Sequence, residues 1–89
     1  SAEYGAEVKA GDTVIVMGAG GVGMNAVQAA AARGAAHVIA VDPVEFKRSS
    51  ALRLGATHAF ADIDEAADFA RSVTGGQGAH AAIVIESRL

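Results

Sequence analysis

The 89-residue sequence contains no cysteine and no tryptophan, a single proline, three phenylalanines and one tyrosine. Without cysteine, a disulfide framework and every thiolate metal site are excluded. The shortage of rings removes bulky packing as a source of core stability. Alanine supplies 22 of the 89 residues, so each buried side chain removes little area from water and the core depends on close approach of backbones. Basic clusters are missing as well. Seven Lys and Arg stand against ten Asp and Glu, a net charge of −3, which disfavours a nucleic-acid partner. No apolar run approaches the roughly 18 residues that a membrane span needs. The opening residues Ser1-Ala2-Glu3-Tyr4-Gly5 carry neither the basic nor the apolar region of a secretory signal. The expectation is a soluble, cytoplasmic chain with no membrane partner. At this length it makes one domain at most, and such a chain buries only about 60–65% of the surface its unfolded form exposes.

What is present is a regular alternation. Four apolar runs are separated by three helical patterns, the sequence signature of a parallel, doubly wound α/β sheet. Thr13–Met17 reads as the first strand, after a Gly11-Asp12 turn. A helix follows over 21–33, with Val22, Ala26 and Ala29 or Ala30 on its inner face and Gly34 at the stop position. His37–Val41 is the second strand, near-continuously apolar as a sheet covered on both faces requires. Pro43 begins or just precedes a second helix that ends by Leu54-Gly55. A short strand over 56–61 comes next, then a third helix capped by Asp62 or Asp64 with Ile63, Ala66, Ala70 and Val73 on one face. Gly75-Gly76-Gln77-Gly78 is a loop before a fourth strand over 81–85. Met17 and Phe60 read as strand-core residues. The expected sheet order is 3-2-1-4, with a crevice beside strands 1 and 4 where the order reverses.

The turn after the first strand carries the chemistry. It reads Gly18-Ala19-Gly20-Gly21-Val22-Gly23, and Asp42 closes the second strand nineteen residues after Gly23. This is the fingerprint of a Rossmann-type βαβ unit that binds a dinucleotide. Gly18 allows the tight turn out of the strand. Gly20 has no side chain to hold a pyrophosphate away from the backbone, and Gly23 lets the helix lie against its strand. The unpaired N–H groups and positive dipole end of that helix then face the phosphates. Asp42 is placed to accept hydrogen bonds from the adenosine ribose, which points to NAD as the cofactor.

With Val8-Lys9-Ala10-Gly11-Asp12-Thr13-Val14, Val41-Asp42 followed by Lys47, Leu54-Gly55-Ala56-Thr57-His58 and the loop Gly75–Gly78, the sequence resembles the cofactor domain of the zinc-type medium-chain alcohol dehydrogenases over nearly all its length. The runs 24–28 and 41–47 are similar to an actinobacterial branch assayed with nitrosodimethylaniline as electron acceptor. The resemblance implies a parent enzyme that interconverts an alcohol and an aldehyde or ketone. A zinc ion there polarises the substrate oxygen and hydride passes to NAD. It implies pyrophosphate contacts along the whole loop Gly18, Ala19, Gly20, Gly21, Val22 and Gly23, a ribose contact at Asp42 and a second one at Lys47. The parent is expected to be a homo-oligomer.

None of the family's zinc-binding cysteines is in the sequence, so zinc belongs to the parent and no catalytic residue is assigned here. A full domain of this kind adds two strands beyond the fourth. Residues 1–89 are therefore expected to be a truncated NAD-binding domain, inactive alone, with the catalytic domain absent.

Plainer readings stand beside these. The glycines can serve a packing turn alone, and Asp42 can cap the helix that starts near Pro43 while also holding ribose. Lys47 can be an ordinary solvated charge. Asn25 and Gln28 read as polar-margin helix residues. His37, His58 and His80 fall near strand starts, away from the crevice, and show no metal-ligand spacing. Asp62, Asp64, Glu65 and Asp68 lack the pattern of a cation loop and suit a helix N-terminus instead. Two other functions remain in play: a stand-alone nucleotide-binding regulatory module, and a zinc-independent, NADP-linked reductase relative.

Overall fold

The computed structural model describes residues 8–18, 20–78 and 81–84. Strand β1 (Thr13–Met17) leads into helix α1 (Gly21–Ala32), then β2 (His37–Val41), α2 (Glu45–Leu54), β3 (His58–Phe60), α3 (Ile63–Val73) and β4 (Ala81–Val84). The strands form one parallel sheet in the order β3-β2-β1-β4, as the alternation predicts. Register sets Met17 opposite Val41, so the C-terminal ends of β1 and β2 lie side by side.

Period-two alternation sorts the sheet into two cores. Val14 and Val16 of β1 and Val38 and Ala40 of β2 face α1 and α2, where they meet Ala26, Val27, Ala30 and Ala51. Ile15, Ile39 and Val41 face the other way, onto Ala66 and Ala70 of α3. Helix α3 takes the opposite face because its crossover runs from edge strand β3 back over the sheet to β4. A right-handed connection in the reversed direction lands on the other side. Alanines line all three helices at these contacts, which brings helix and sheet backbones close together.

Several boundaries and faces differ from the sequence reading. The stripe of α1 that meets the sheet is Gly23, Ala26, Val27 and Ala30, and Val22 is 55% exposed. A spacing of three and four residues counted from Gly23 selects Val27, and Val22 turns outward beside the glycine loop. Helix α2 begins at Glu45 behind Val44 as N-cap, so of the two placements the sequence allows Pro43, the one just before the helix is found. Strand β3 is only His58–Phe60. In α3 Ala66 and Ala70 are buried, whereas Ile63 at the head of the first turn is 42% exposed and Val73 is half-buried. Met17 and Phe60 are half-buried and pack against the α3-side core. Helix α1 ends at Ala32, with Gly34 in the left-handed region (φ 86°). Gly34 N–H donates to Ala31 O and Ala35 N–H to Ala30 O, the paired closure that a left-handed residue at this position permits.

The short β3 is held by one hydroxyl. Val38 N–H donates to Thr57 Oγ1 (2.9 Å), Thr57 Oγ1 lies 3.2 Å from Val38 O, and Thr57 N–H donates to the same carbonyl (2.8 Å). Thr57→Val keeps the shape but leaves the N–H of fully buried Val38 without that acceptor. The expected loss is about 1–2 kcal/mol of unfolding free energy, read from denaturant titration.

Candidate nucleotide site

Gly18 leaves β1 with φ 79°, a conformation that a side chain disfavours. Its N–H donates to Val41 O (2.8 Å), which ties the glycine turn to the end of β2. Gly20 is the N-cap of α1 and its carbonyl accepts the first helical bond, from Met24 N–H (2.7 Å). The N–H groups of Gly21, Val22 and Gly23 thus precede the helix ladder, with no side-chain cap and no acidic residue in the first turn. Helix α3 is built the other way. Asp62 Oδ1 accepts from Glu65 N–H (2.9 Å), and Asp64 and Glu65 fill its first turn. One helix satisfies its own N-terminus, and α1 presents its N–H groups and positive dipole end at the mouth of the glycine turn. Ala19 lies outside the described residues.

Gly23 fixes how tight this turn is. A Cβ at Gly23 would stand 2.0 Å from Gly18 O and 3.0 Å from Gly18 C. Only a residue without one lets α1 cross the backbone of the turn at this distance.

Asp42 follows β2 directly, beside Gly18. It is 5% exposed. Its N–H donates to Phe60 O (3.1 Å), its Oδ1 accepts from Val44 N–H (2.8 Å), and its carbonyl accepts from Arg48 Nη1 (2.8 Å). The capping role therefore takes the form of a side-chain turn onto Val44 rather than a helix N-cap. The carboxylate ends up fixed at the C-terminal edge of the sheet. Lys47 lies on the first turn of α2, half-buried, and its N–H donates to Val44 O (3.0 Å). Turn, helix end and acid are thus brought together by the register of β1 and β2. The contact from Arg48 was not legible in the sequence, because nothing in its spacing distinguishes it from Lys47.

The remaining polar clusters are structural. His37 Nδ1 lies 3.2 Å from Thr13 Oγ1 and His58 Nδ1 lies 3.0 Å from Thr57 Oγ1. Both imidazoles pack on Phe69 of α3, with centroids 5.9 and 4.1 Å away, at the N-terminal end of the sheet. His80 lies outside the described residues. Among the described residues no three His, Asp or Glu side chains gather as metal ligands. With cysteine also absent from the sequence, the described residues do not fit a zinc ion. Asp68 pairs with Arg71 on the exposed side of α3, a contact of small energetic value.

A parallel sheet in this order, a glycine turn closed by Gly23 and a fixed acid at the end of β2 define a Rossmann-type nucleotide-binding unit. Residues 21–87 match the zinc-binding dehydrogenase family, and the chain belongs to that family. It is 61% identical over 84 residues to an NDMA-dependent alcohol dehydrogenase of Amycolatopsis methanolica, covering 94% of this chain and 23% of that protein. Identity is 54% over 78 residues to the putative alcohol dehydrogenase D of Mycobacterium tuberculosis, covering 88% of this chain and 21% of the relative. Among solved structures, an alcohol dehydrogenase zinc-binding domain protein from Burkholderia ambifaria superposes with a TM-score of 0.78 at 41% identity, over 92% of this chain and 24% of the other. The resemblance to the nitrosodimethylaniline-linked branch is borne out by the Amycolatopsis relative. The chain spans about a quarter or less of the length of these relatives.

Proposed function

We propose that this chain is the NAD-binding segment of a zinc-dependent alcohol dehydrogenase, holding the adenosine and pyrophosphate end of the cofactor. The observation that carries the reading is the cradle at Gly23. The Gly18 backbone stands where a Cβ of Gly23 would be, and buried Asp42 follows the neighbouring strand β2. In this reading the N–H groups at the start of α1 bind the pyrophosphate along Gly18–Gly23. The Asp42 carboxylate accepts the adenosine ribose hydroxyls, and Lys47 adds a cation at the same end. The nicotinamide ring, when bound, supplies the hydride acceptor for alcohol oxidation.

No step of the chemistry is assigned to residues of this chain, and the zinc that polarises the alcohol or aldehyde is held elsewhere in the enzyme. The whole enzyme is proposed to be a cytoplasmic homo-oligomer. Its substrate class is alcohols and their aldehydes or ketones. A carboxylate at Asp42 repels a 2′-phosphate, so the reading favours NAD over NADP, and with it the zinc-dependent branch over NADP-linked reductases.

Calorimetric titration with NAD, NADP and ADP-ribose tests this. NAD and ADP-ribose are expected to bind within a few-fold of each other, and NADP at least about tenfold more weakly. Equal binding of NADP would remove the ribose role of Asp42 and return the reductase reading. NAD binding far tighter than ADP-ribose would place major contacts on the nicotinamide side. A folded chain that binds none of the three has no nucleotide site of its own.

A further inference from the structure

We propose that Arg48 is a positioning residue for Asp42 and thereby a determinant of ribose recognition; the proposal rests on the NAD reading above. Arg48 sits on the second turn of α2, its own N–H donating to Val44 O (3.1 Å), and its Nη1 reaches back to the Asp42 carbonyl at 2.8 Å. The Val44 N–H meanwhile donates to Asp42 Oδ1 at 2.8 Å. One residue is therefore gripped at both ends by the same helix start: its carboxylate through Val44, its carbonyl through Arg48. The N–H of Asp42 is held from the other side by Phe60 O of β3.

These anchors on a residue 5% exposed leave the carboxylate little freedom to turn. A carboxylate already fixed loses little further entropy when ribose hydroxyls arrive, so orientation converts directly into affinity. Arginine suits the task because its planar fork of N–H donors is pre-organised, so little freedom is lost per hydrogen bond formed.

The test is a double-mutant cycle on the full 89-residue chain, by calorimetric NAD titration of wild type, Arg48→Ala, Arg48→Lys, Asp42→Asn and the Asp42→Asn/Arg48→Ala pair. Melting is followed by circular dichroism to keep unfolding separate. Arg48→Ala is expected to weaken NAD about fivefold in the wild-type background and less than about twofold once Asp42 is Asn. Arg48→Lys is expected to recover part of the loss, since an ammonium still donates to the carbonyl. The same factor lost in both backgrounds would overturn the proposal, since Arg48 would then act independently of Asp42. Unchanged binding in both Arg48→Ala and Arg48→Lys would overturn it as well. Failure of the wild type to bind NAD would instead sink the NAD reading, and the role of Arg48 with it.

Discussion

Gly23→Ala is expected to abolish NAD binding and to destabilise the domain by about 3 kcal/mol, because one methyl group has no place to go. The new Cβ would lie 2.0 Å from Gly18 O, and that oxygen is backbone, so no rotamer change can clear it. Either α1 slides away from β1 or the glycine turn shifts, and both move the N–H groups at the helix start. A domain of this length has roughly 4–13 kcal/mol of stability in total. The melting temperature should fall by roughly 10–20 °C. Gly21→Ala is the matched comparison. A Cβ there meets nothing within 4 Å, and alanine is the better helix former, so stability should hold or rise slightly. Measured by thermal melts and NAD titration, equal behaviour of the two variants would mean that the close crossing does not govern the site.

Asp42→Asn should cost about 10- to 100-fold in NAD affinity with little loss of stability, the range for removing charge from a buried acceptor. The amide oxygen can still accept from Val44 N–H, so the turn that fixes residue 42 survives. What goes is the negative charge and one of the two carboxylate acceptors. NADP should lose less than NAD, narrowing the preference between them, because the repulsion of a 2′-phosphate disappears. Asp62→Asn serves as the control. Asp62 caps α3 through Glu65 N–H, its side chain can still accept when amidated, and NAD affinity should not change. Equal losses from Asp42→Asn and Asp62→Asn would remove the ribose assignment.

These outcomes depend on features that the sequence exposed to different degrees. β1 and β2 were legible residue for residue because their apolar runs are bounded by Gly11-Asp12, Gly18, Gly34 and Asp42. Sheet order followed from the alternation of strands and helices and the handedness of crossovers. The tight turn after β1 was legible because the close crossing there demands a residue without a side chain at Gly23.

Less regular features were not. Val22 and Ile63 are apolar and fall near a helical stripe, yet they are 55% and 42% exposed. In an alanine-rich helix a shift of one residue in the stripe changes the apolar pattern very little. The sequence left open whether α2 starts at Pro43 or just after it, and the capture of Val44 N–H by Asp42 accompanies a start at Glu45. That capture is invisible until the side chain has a position.

By itself, then, the sequence determined the α/β class, the strand order and the glycine turn after β1, since these rest on periodicity and on steric tasks that few residue types can perform. The tertiary structure alone decided that Gly18 is tied to Val41, that Phe60 and Val44 hold Asp42, and that Arg48 is among its anchors. Those bonds join residues through a fixed sheet register and a helix start. The geometry of such contacts is not written in the spacing of the residues that make them.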